Sequence, residues 1–190
     1  VKVHEVGLPG CLLIEPQVFG DERGFFFEAW NAARFREAGL DFRVAQSNVS
    51  RSAKGVLRGL HYQWPNPQGK LVSVLEGEVY DVAVDIRHDS PTFGRWAAAV
   101  LSAENKRHFW VPEGFAHGFV VLSESALFTY LCTAPYDRAA DRGIRWNDGA
   151  LAIDWPVAEP LLSDKDAGLP FLGEIAAEQL PALGGIGRGP

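Results

Sequence analysis

Two histidines occupy motifs in which an imidazole can do chemistry. His61 lies in G-V-L-R-G-L-H-Y-Q and His117 in P-E-G-F-A-H-G-F, each entering or leaving a run of strand-forming residues. A neutral imidazole titrates at about pH 6.5, so it can act as a proton acceptor near neutrality or ligate a metal. A metal site would draw on His61, Glu76 and His117, since three strong protein ligands are the usual minimum. Gln63, two residues after His61, weakens that reading, because a neutral amide is a poor transition-metal ligand beside imidazole. His4, His88 and His108 lie outside both motifs and are assigned no chemistry.

The elements that must position these groups are strands. Gly (20) and Pro (12) are dispersed and separate short runs rich in β-branched and aromatic residues, the punctuation of an all-β chain. Strand candidates are CLLIEPQVF, GFFFEAW, FRVAQSNVS, GVLRGLHYQ, RWAAAVL, RHFWVP, HGFVVL and ALFTYLCT. The run from Lys70, KLVSVLEGEVYDVAVDIR, predicts a hairpin turning at Gly77. Regular spacing of this kind favours a sandwich or barrel over βαβ units. Helices are peripheral: Asn31 can cap AARFREAG, and FLGEIAAEQL predicts another short helix. The expected organisation is one domain over 1–173, then a short C-terminal helix and a frayed Gly-rich tail over 174–190.

The composition sets outer limits. The chain has 190 residues, 47% hydrophobic and 22% charged, enough for one substantial core. A net charge of −6 argues against nucleic acid as partner, although a few arginines in one cleft can still attract a small anion. Cys11 and Cys132 are far apart and imply neither a disulfide framework nor a zinc knuckle. The start VKVHEVGLPG lacks a signal-peptide pattern, and no apolar run approaches the ~20 residues that cross a bilayer. The expectation is a cytoplasmic chain with no membrane partner.

Gly55, His61 and Glu76, followed by Pro112, Gly114 and His117, resemble the two metal-binding motifs of the cupin superfamily, with Gln63 in place of the second histidine. That resemblance implies a double-stranded β-helix, or jelly roll, in which the frame persists without its metal. The constellation L-R-G-L-H-Y-Q, Q-G-K at Gln68 to Lys70, V-P-E-G-F-A-H-G-F and S-D-K-D is more specific. With D-E-R-G-F-F-F-E, Q-S-N, V-D-I-R-H-D-S-P-T-F-G, L-S-A-E-N-K-R, R-G-I-R-W-N-D and I-D-W-P, it closely resembles the dTDP-4-dehydrorhamnose 3,5-epimerase family from about Gly7 to Pro170.

The resemblance implies cofactor-free inversion of C3 and C5 in a dTDP-linked 4-keto-6-deoxy sugar, carried out by a homodimer. Both carbons adjoin the ketone, so the enzyme needs a base together with stabilisation of the enolate oxygen. By resemblance His61 is the base, oriented by Asp166; Lys70 stabilises the enolate; and Tyr130 returns the proton from the opposite face. Read from composition alone, Asp166 is an exposed turn residue, Lys70 a solvated strand-edge lysine and Tyr130 a buried, hydrogen-bonded phenol. Arg23 and Arg58 match the family's diphosphate ligands, and Tyr136 would stack on thymine. Phe26, Glu28, Gln46, Asn48, His117, Asp141 and Lys165 match further lining positions. An N-terminal strand is expected to cross to the partner, so that Arg23 and Glu28 complete the other subunit's site. Leu131, where relatives often carry a basic residue, and Asp141, where glutamate is frequent, leave open an epimerase of C3 or C5 alone in a secondary-metabolite pathway; a metal held by His61, Glu76 and His117 would instead make the chain a metal-dependent cupin.

Overall fold

The computed structural model describes residues 1–186. The elements run β1 (Lys2–Glu5), β2 (Leu12–Glu15), β3 (Val18–Asp21), β4 (Gly24–Phe27), α1 (Ala32–Glu37), β5 (Gln46–Ala53), β6 (Leu57–Gln63) and β7 (Lys70–Glu76). They continue with β8 (Glu78–Asp85), β9 (Trp96–Ser102), β10 (His108–Val111), β11 (Phe115–Val121), β12 (Ser125–Cys132), β13 (Asp141–Gly143) and α2 (Asp164–Ala167). A six-stranded sheet, ordered β1-β2-β10-β7-β12-β5, faces a five-stranded sheet, ordered β13-β6-β11-β8-β9. This is the expected all-β jelly roll, with the two sheets packed face to face.

Strand alternation builds the interior. Val72 and Val74, Phe109 and Val111, and Phe128 of the six-stranded sheet meet Val79 and Ala83, Phe115, Phe119 and Val121 of the other. Phe119 and Phe128 stack across the gap with centroids 4.1 Å apart. Each such side chain contributes roughly 1.5–3 kcal/mol on burial. The outer faces are covered too. Residues of the 144–180 region lie over Val82 and Val84, and Phe35 of α1, capped by Asn31 as expected, packs against Ile14 and Leu71.

Several sequence expectations need correction. The run through Gly77 is not a hairpin: β7 pairs with β10 and β12, while β8 pairs with β11 and β9. The chain crosses from one sheet to the other at Gly77, because a single residue cannot return a strand upon its neighbour. Pro16 splits CLLIEPQVF into β2 and β3, and FRVAQSNVS becomes strand only from Gln46. FLGEIAAEQL forms two 3-10 turns, Leu172–Glu174 and Ala177–Gln179, rather than one helix. The tail is anchored at least as far as Leu183: His88 N–H donates to Pro181 O, and Leu183 N–H donates to Asp89 Oδ1. The rest of the expected frayed tail, 187–190, lies outside the described residues. β1 pairs with β2 of its own chain, whereas β3 and β4 form a separate ribbon.

Gly77 has φ +77°, and a Cβ there would lie 2.0 Å from Ser125 O. Gly77→Ala should therefore destabilise the fold by roughly 2 kcal/mol or more, read as a lower urea midpoint at unchanged slope. An unchanged midpoint would show that the crossover has room. His108, 2% exposed and packed near Phe27 and Phe35, leaves Nε2 without a partner among the described residues. Burial pushes its pKa from 6.5 down to about 4. Below pH 6.5 the unfolded chain takes up a proton that the folded chain refuses, so stability falls as pH drops through that window, by roughly 3 kcal/mol in all. Comparing urea midpoints at pH 7 and pH 4.5 should show this loss in the native chain and its absence in His108→Phe.

Candidate active site

The site sits at the end of the sandwich where inward-facing positions turn polar. β6 runs between β13 and β11, so His61 stands between Gly143 and His117 in register. A bulge separates the pairs His117↔His61 and Phe119↔Arg58, and both Arg58 and His61 consequently face the same cavity. Gly59 supplies the bulge. At φ +129° its missing Cβ would lie 2.6 Å from Gly118 Cα, so only glycine allows β6 and β11 to approach this closely.

Asp166 reaches His61 from 105 residues away in sequence. Bonds from Leu57 N–H to Leu161 O and from Arg145 N–H to Pro170 O lay the intervening segment against β6, and Ser163 caps α2. His61 Nε2 lies 2.6 Å from Asp166 Oδ1, and Gly59 N–H donates to Oδ2 at 3.2 Å. Burial opposes a charge on Asp166, but the hydrogen bond and field of His61, the Gly59 amide and Lys165 outweigh it and hold its pKa below the ordinary carboxylate value. An ionised carboxylate only accepts, so Nε2 carries the proton and Nδ1 is the ring nitrogen left to act.

Across the gap, β12 contributes Tyr130 and β7 contributes Lys70. Together with His61, Arg58, His117, Ser50, Phe119 and Phe128 they line a cavity of about 200 Å³. Desolvation raises the Tyr130 pKa above 10, so it is a phenol at neutrality. Desolvation also lowers that of Lys70, whose Nζ has no salt bridge among the described residues; Cys132, Asp81 and Asp141 act on it only as surrounding charges. A half-buried ammonium without an ionic partner is a ready site for a developing oxyanion. The wider cleft, about 430 Å³, adds Gln46, Asn48, Tyr62, Gln63, Gln68, Tyr136, Asp141 and Lys165. At its mouth Tyr136 Oη and Lys165 Nζ both donate to Asp141 Oδ2, and Tyr136 N–H donates to Gln46 Oε1.

Eleven of the fourteen sequence-derived site residues thus meet in these two connected spaces: His61, Lys70, Tyr130, Gln46, Asn48, Arg58, His117, Tyr136, Asp141 and Lys165 line them, and Asp166 bonds to His61. Arg23, Phe26 and Glu28 do not line the cleft of their own chain. Arg23 pairs with Asp21 on the exposed β3–β4 ribbon, Phe26 is 68% exposed beside it, and Glu28 pairs with Arg34. Leu131 points to the opposite face of its sheet and packs near Phe35, so it cannot touch a ligand in the cleft.

The metal frame does not converge. Glu76 is exposed and pairs with Arg51, while Gln63 donates to Asn66 O and Pro135 O and accepts from Asp137 N–H, tying together two loops at the mouth. Sequence reasoning missed Asp81, which bonds His117 Nε2 at 2.9 Å. The available signal was an acid at the inward-facing position between Val79 and Ala83.

Fold and cleft together define a jelly roll with a polar cleft, in which a histidine–carboxylate pair and a tyrosine stand on facing walls. A family model described as dTDP-4-dehydrorhamnose 3,5-epimerase matches residues 5–174. The chain is 56% identical over 168 residues to the dTDP-4-dehydrorhamnose 3,5-epimerase of Shigella flexneri, covering 87% of this chain and 93% of the relative. It is 54% identical to the enzyme of that name from Salmonella typhimurium strain LT2, covering 90% and 96%. The crystal structure of dTDP-6-deoxy-D-glucose-3,5-epimerase from Legionella pneumophila Philadelphia 1, in complex with dTDP-4-keto-L-rhamnose, superposes with TM-score 0.93 at 54% identity, covering 95% and 97%. The chain belongs to the dTDP-4-dehydrorhamnose 3,5-epimerase family.

Since Lys70 lacks an ion pair, its removal should not unfold the chain. Lys70→Met should leave the thermal midpoint unchanged or higher, by roughly 1 kcal/mol of stability. A drop of several degrees would instead make Lys70 a structural anchor.

Proposed function

We propose that the chain converts dTDP-4-dehydro-6-deoxy-D-glucose to dTDP-4-dehydro-L-rhamnose by epimerising C3 and C5, using its own side chains for proton transfer. The observation that carries this reading is that His61 and Tyr130, on opposite sheets, line one cavity together with Lys70. A base and an acid on the same wall would return each proton to the face it left.

In the proposed reaction, His61 Nδ1 removes the proton from a carbon beside the C4 ketone. The electron pair moves onto the C4 oxygen, where Lys70 stabilises the enolate in a partly dry setting. Asp166 stabilises the imidazolium that results, as the acid does in a serine hydrolase triad. Tyr130 then donates its phenolic proton to the opposite face of the same carbon; the imidazolium gives up its proton to solvent and the phenolate takes one from solvent, which resets both groups, and the sequence repeats at the second carbon. Arg58 binds the diphosphate, Tyr136 stacks on thymine, and Gln46, Asn48, His117, Asp141 and Lys165 complete the polar lining.

A homodimer is part of the proposal. The β3–β4 ribbon exposes Phe19, Phe25 and Phe26 at 54%, 63% and 68%, an apolar surface suited to a second copy. Seated there, Arg23, Phe26 and Glu28 would complete the partner's cleft. Two free, buried cysteines fit a reducing, cytoplasmic setting. The relatives described above are named for epimerisation at both carbons, so the one-carbon alternative is not favoured.

Proton NMR in D2O with the substrate should show loss of both the C3 and the C5 signals as the L-configured sugar forms. Loss of one signal would make the chain a single-site enzyme. His61→Asn should slow exchange at both carbons by roughly 10²–10⁴-fold while dTDP binding persists. Tyr130→Phe should impair inversion more than exchange; equal losses would remove it as the dedicated proton donor.

A further inference from the structure

A second histidine–carboxylate pair stands behind the first. His117 is the cross-strand neighbour of His61, and its Nε2 lies 2.9 and 3.0 Å from the two oxygens of Asp81 on β8. Asp81 is 0% exposed, and this ring nitrogen is its one side-chain hydrogen-bond partner among the described residues. Val79 and Ala83, two positions to either side, enter the same core as ordinary apolar side chains. A carboxylate at that depth is disfavoured by desolvation, and apolar residues of similar size often replace buried ionic pairs without loss of stability. Packing therefore gives no reason for Asp81. The cavity in front of it does, since His117 shares that space with His61, Arg58, Lys70 and Tyr130.

We propose that Asp81 is a positioning residue for the epimerisation, fixing His117 with its proton on Nε2 and its Nδ1 free to accept a sugar hydroxyl. The assignment rests on the reaction proposed above. Each histidine of the site is then set by its own carboxylate: Asp166 sets the base, and Asp81 sets a fixed acceptor beside it. The groups acting on the pair come from every neighbouring element: Lys70 from β7, His61 and Arg58 from β6, Tyr130 and Cys132 from β12, and Cys11 from the segment before β2. Burial pushes Cys11 up to about 12 and raises Cys132, so both thiols are neutral and add no charge.

Two variants separate the parts of this role. Asp81→Asn keeps an oxygen that can accept from Nε2–H but removes the charge; Asp81→Leu removes both. Long-range 1H–15N spectra of the ligand-free protein should show His117 as the Nε2–H tautomer in the native chain and in Asp81→Asn, and as a mixture in Asp81→Leu. With the dTDP-sugar, kcat should fall roughly 10²-fold in Asp81→Leu, while dTDP affinity stays within about twofold. In Asp81→Asn, which keeps an acceptor for Nε2–H, kcat should stay within about threefold of the native value. The thermal midpoint of Asp81→Asn should be no lower than that of the native chain. A native His117 protonated on Nδ1 would overturn the proposal. So would an unchanged kcat in Asp81→Leu, or a lowered midpoint with kcat intact, which marks a purely structural residue. A native chain that turns over no dTDP-sugar although His117 shows the expected tautomer would locate the failure in the proposed reaction, and would overturn the role of Asp81 in it.

Discussion

Charge placed between two apolar sheets persists only where something of opposite sign meets it, and the way each buried charge is met separates structure from function in this molecule. Asp85 is fully answered: Arg87 grips both oxygens, and Ser90 and Thr92 donate to the same carboxylate. It stabilises a turn and has nothing left to offer. At the cleft the compensation is partial. Among the described residues Asp166 is shared between an amide and a histidine that also faces the cavity, Asp81 has one ring nitrogen, and Lys70 has no ionic partner. These incomplete pairings are where a ligand's own charge and hydroxyls can enter.

The backbone makes that arrangement possible. A bulge at Gly59, permitted by the close approach of β6 to Gly118, turns both Arg58 and His61 inward from one strand. The same strand then binds the 161–170 segment on its far side, which brings α2 and Asp166 to the imidazole. One local irregularity thereby turns His61 and Arg58 into the cavity and presents the Gly59 amide to the carboxylate that holds His61. Gln63, at the end of that strand, ties the loops at 66 and 135–137 into the rim, so it serves the architecture of the mouth where a metal-binding cupin would use a ligand.

Strand content was legible because alternating apolar residues and dispersed glycines leave few other folds. Sheet membership was not: KLVSVLEGEVYDVAVDIR reads as a hairpin on local pattern, and only long-range pairing shows that its halves belong to opposite sheets. The chemistry divides in the same way. His61 and His117 stand out by spacing, whereas composition makes Asp166 a turn residue and Tyr130 a core phenol; their roles came from the family's ordered motifs. Asp81 was overlooked although it is in phase with Val79 and Ala83, because Tyr80 and Val82 make the other half of EVYDVAVD apolar as well, and local pattern alone does not say which half faces between the sheets. Arg23 and Phe26 lie on a ribbon that joins neither large sheet, and Glu28 follows it to pair with Arg34, so none of the three lines the cleft of its own chain.

The two-walled geometry also limits how both carbons can be served. His61 and Tyr130 are fixed to different sheets, each held by a hydrogen-bonded ladder, and cannot exchange places during a turnover. C3 and C5 flank a single carbonyl, so one lysine beside its oxygen can stabilise the enolate formed toward either side. In the proposed reaction, with His61, Tyr130 and Lys70 all stationary, the moving part is the sugar ring, which presents first one carbon and then the other to the same pair. The cleft must then grip the nucleotide firmly and the sugar loosely. That division suits a site whose mouth is cross-bonded through Tyr136, Asp141, Lys165 and Gln46, and whose interior offers a few oriented groups in a cavity of about 200 Å³.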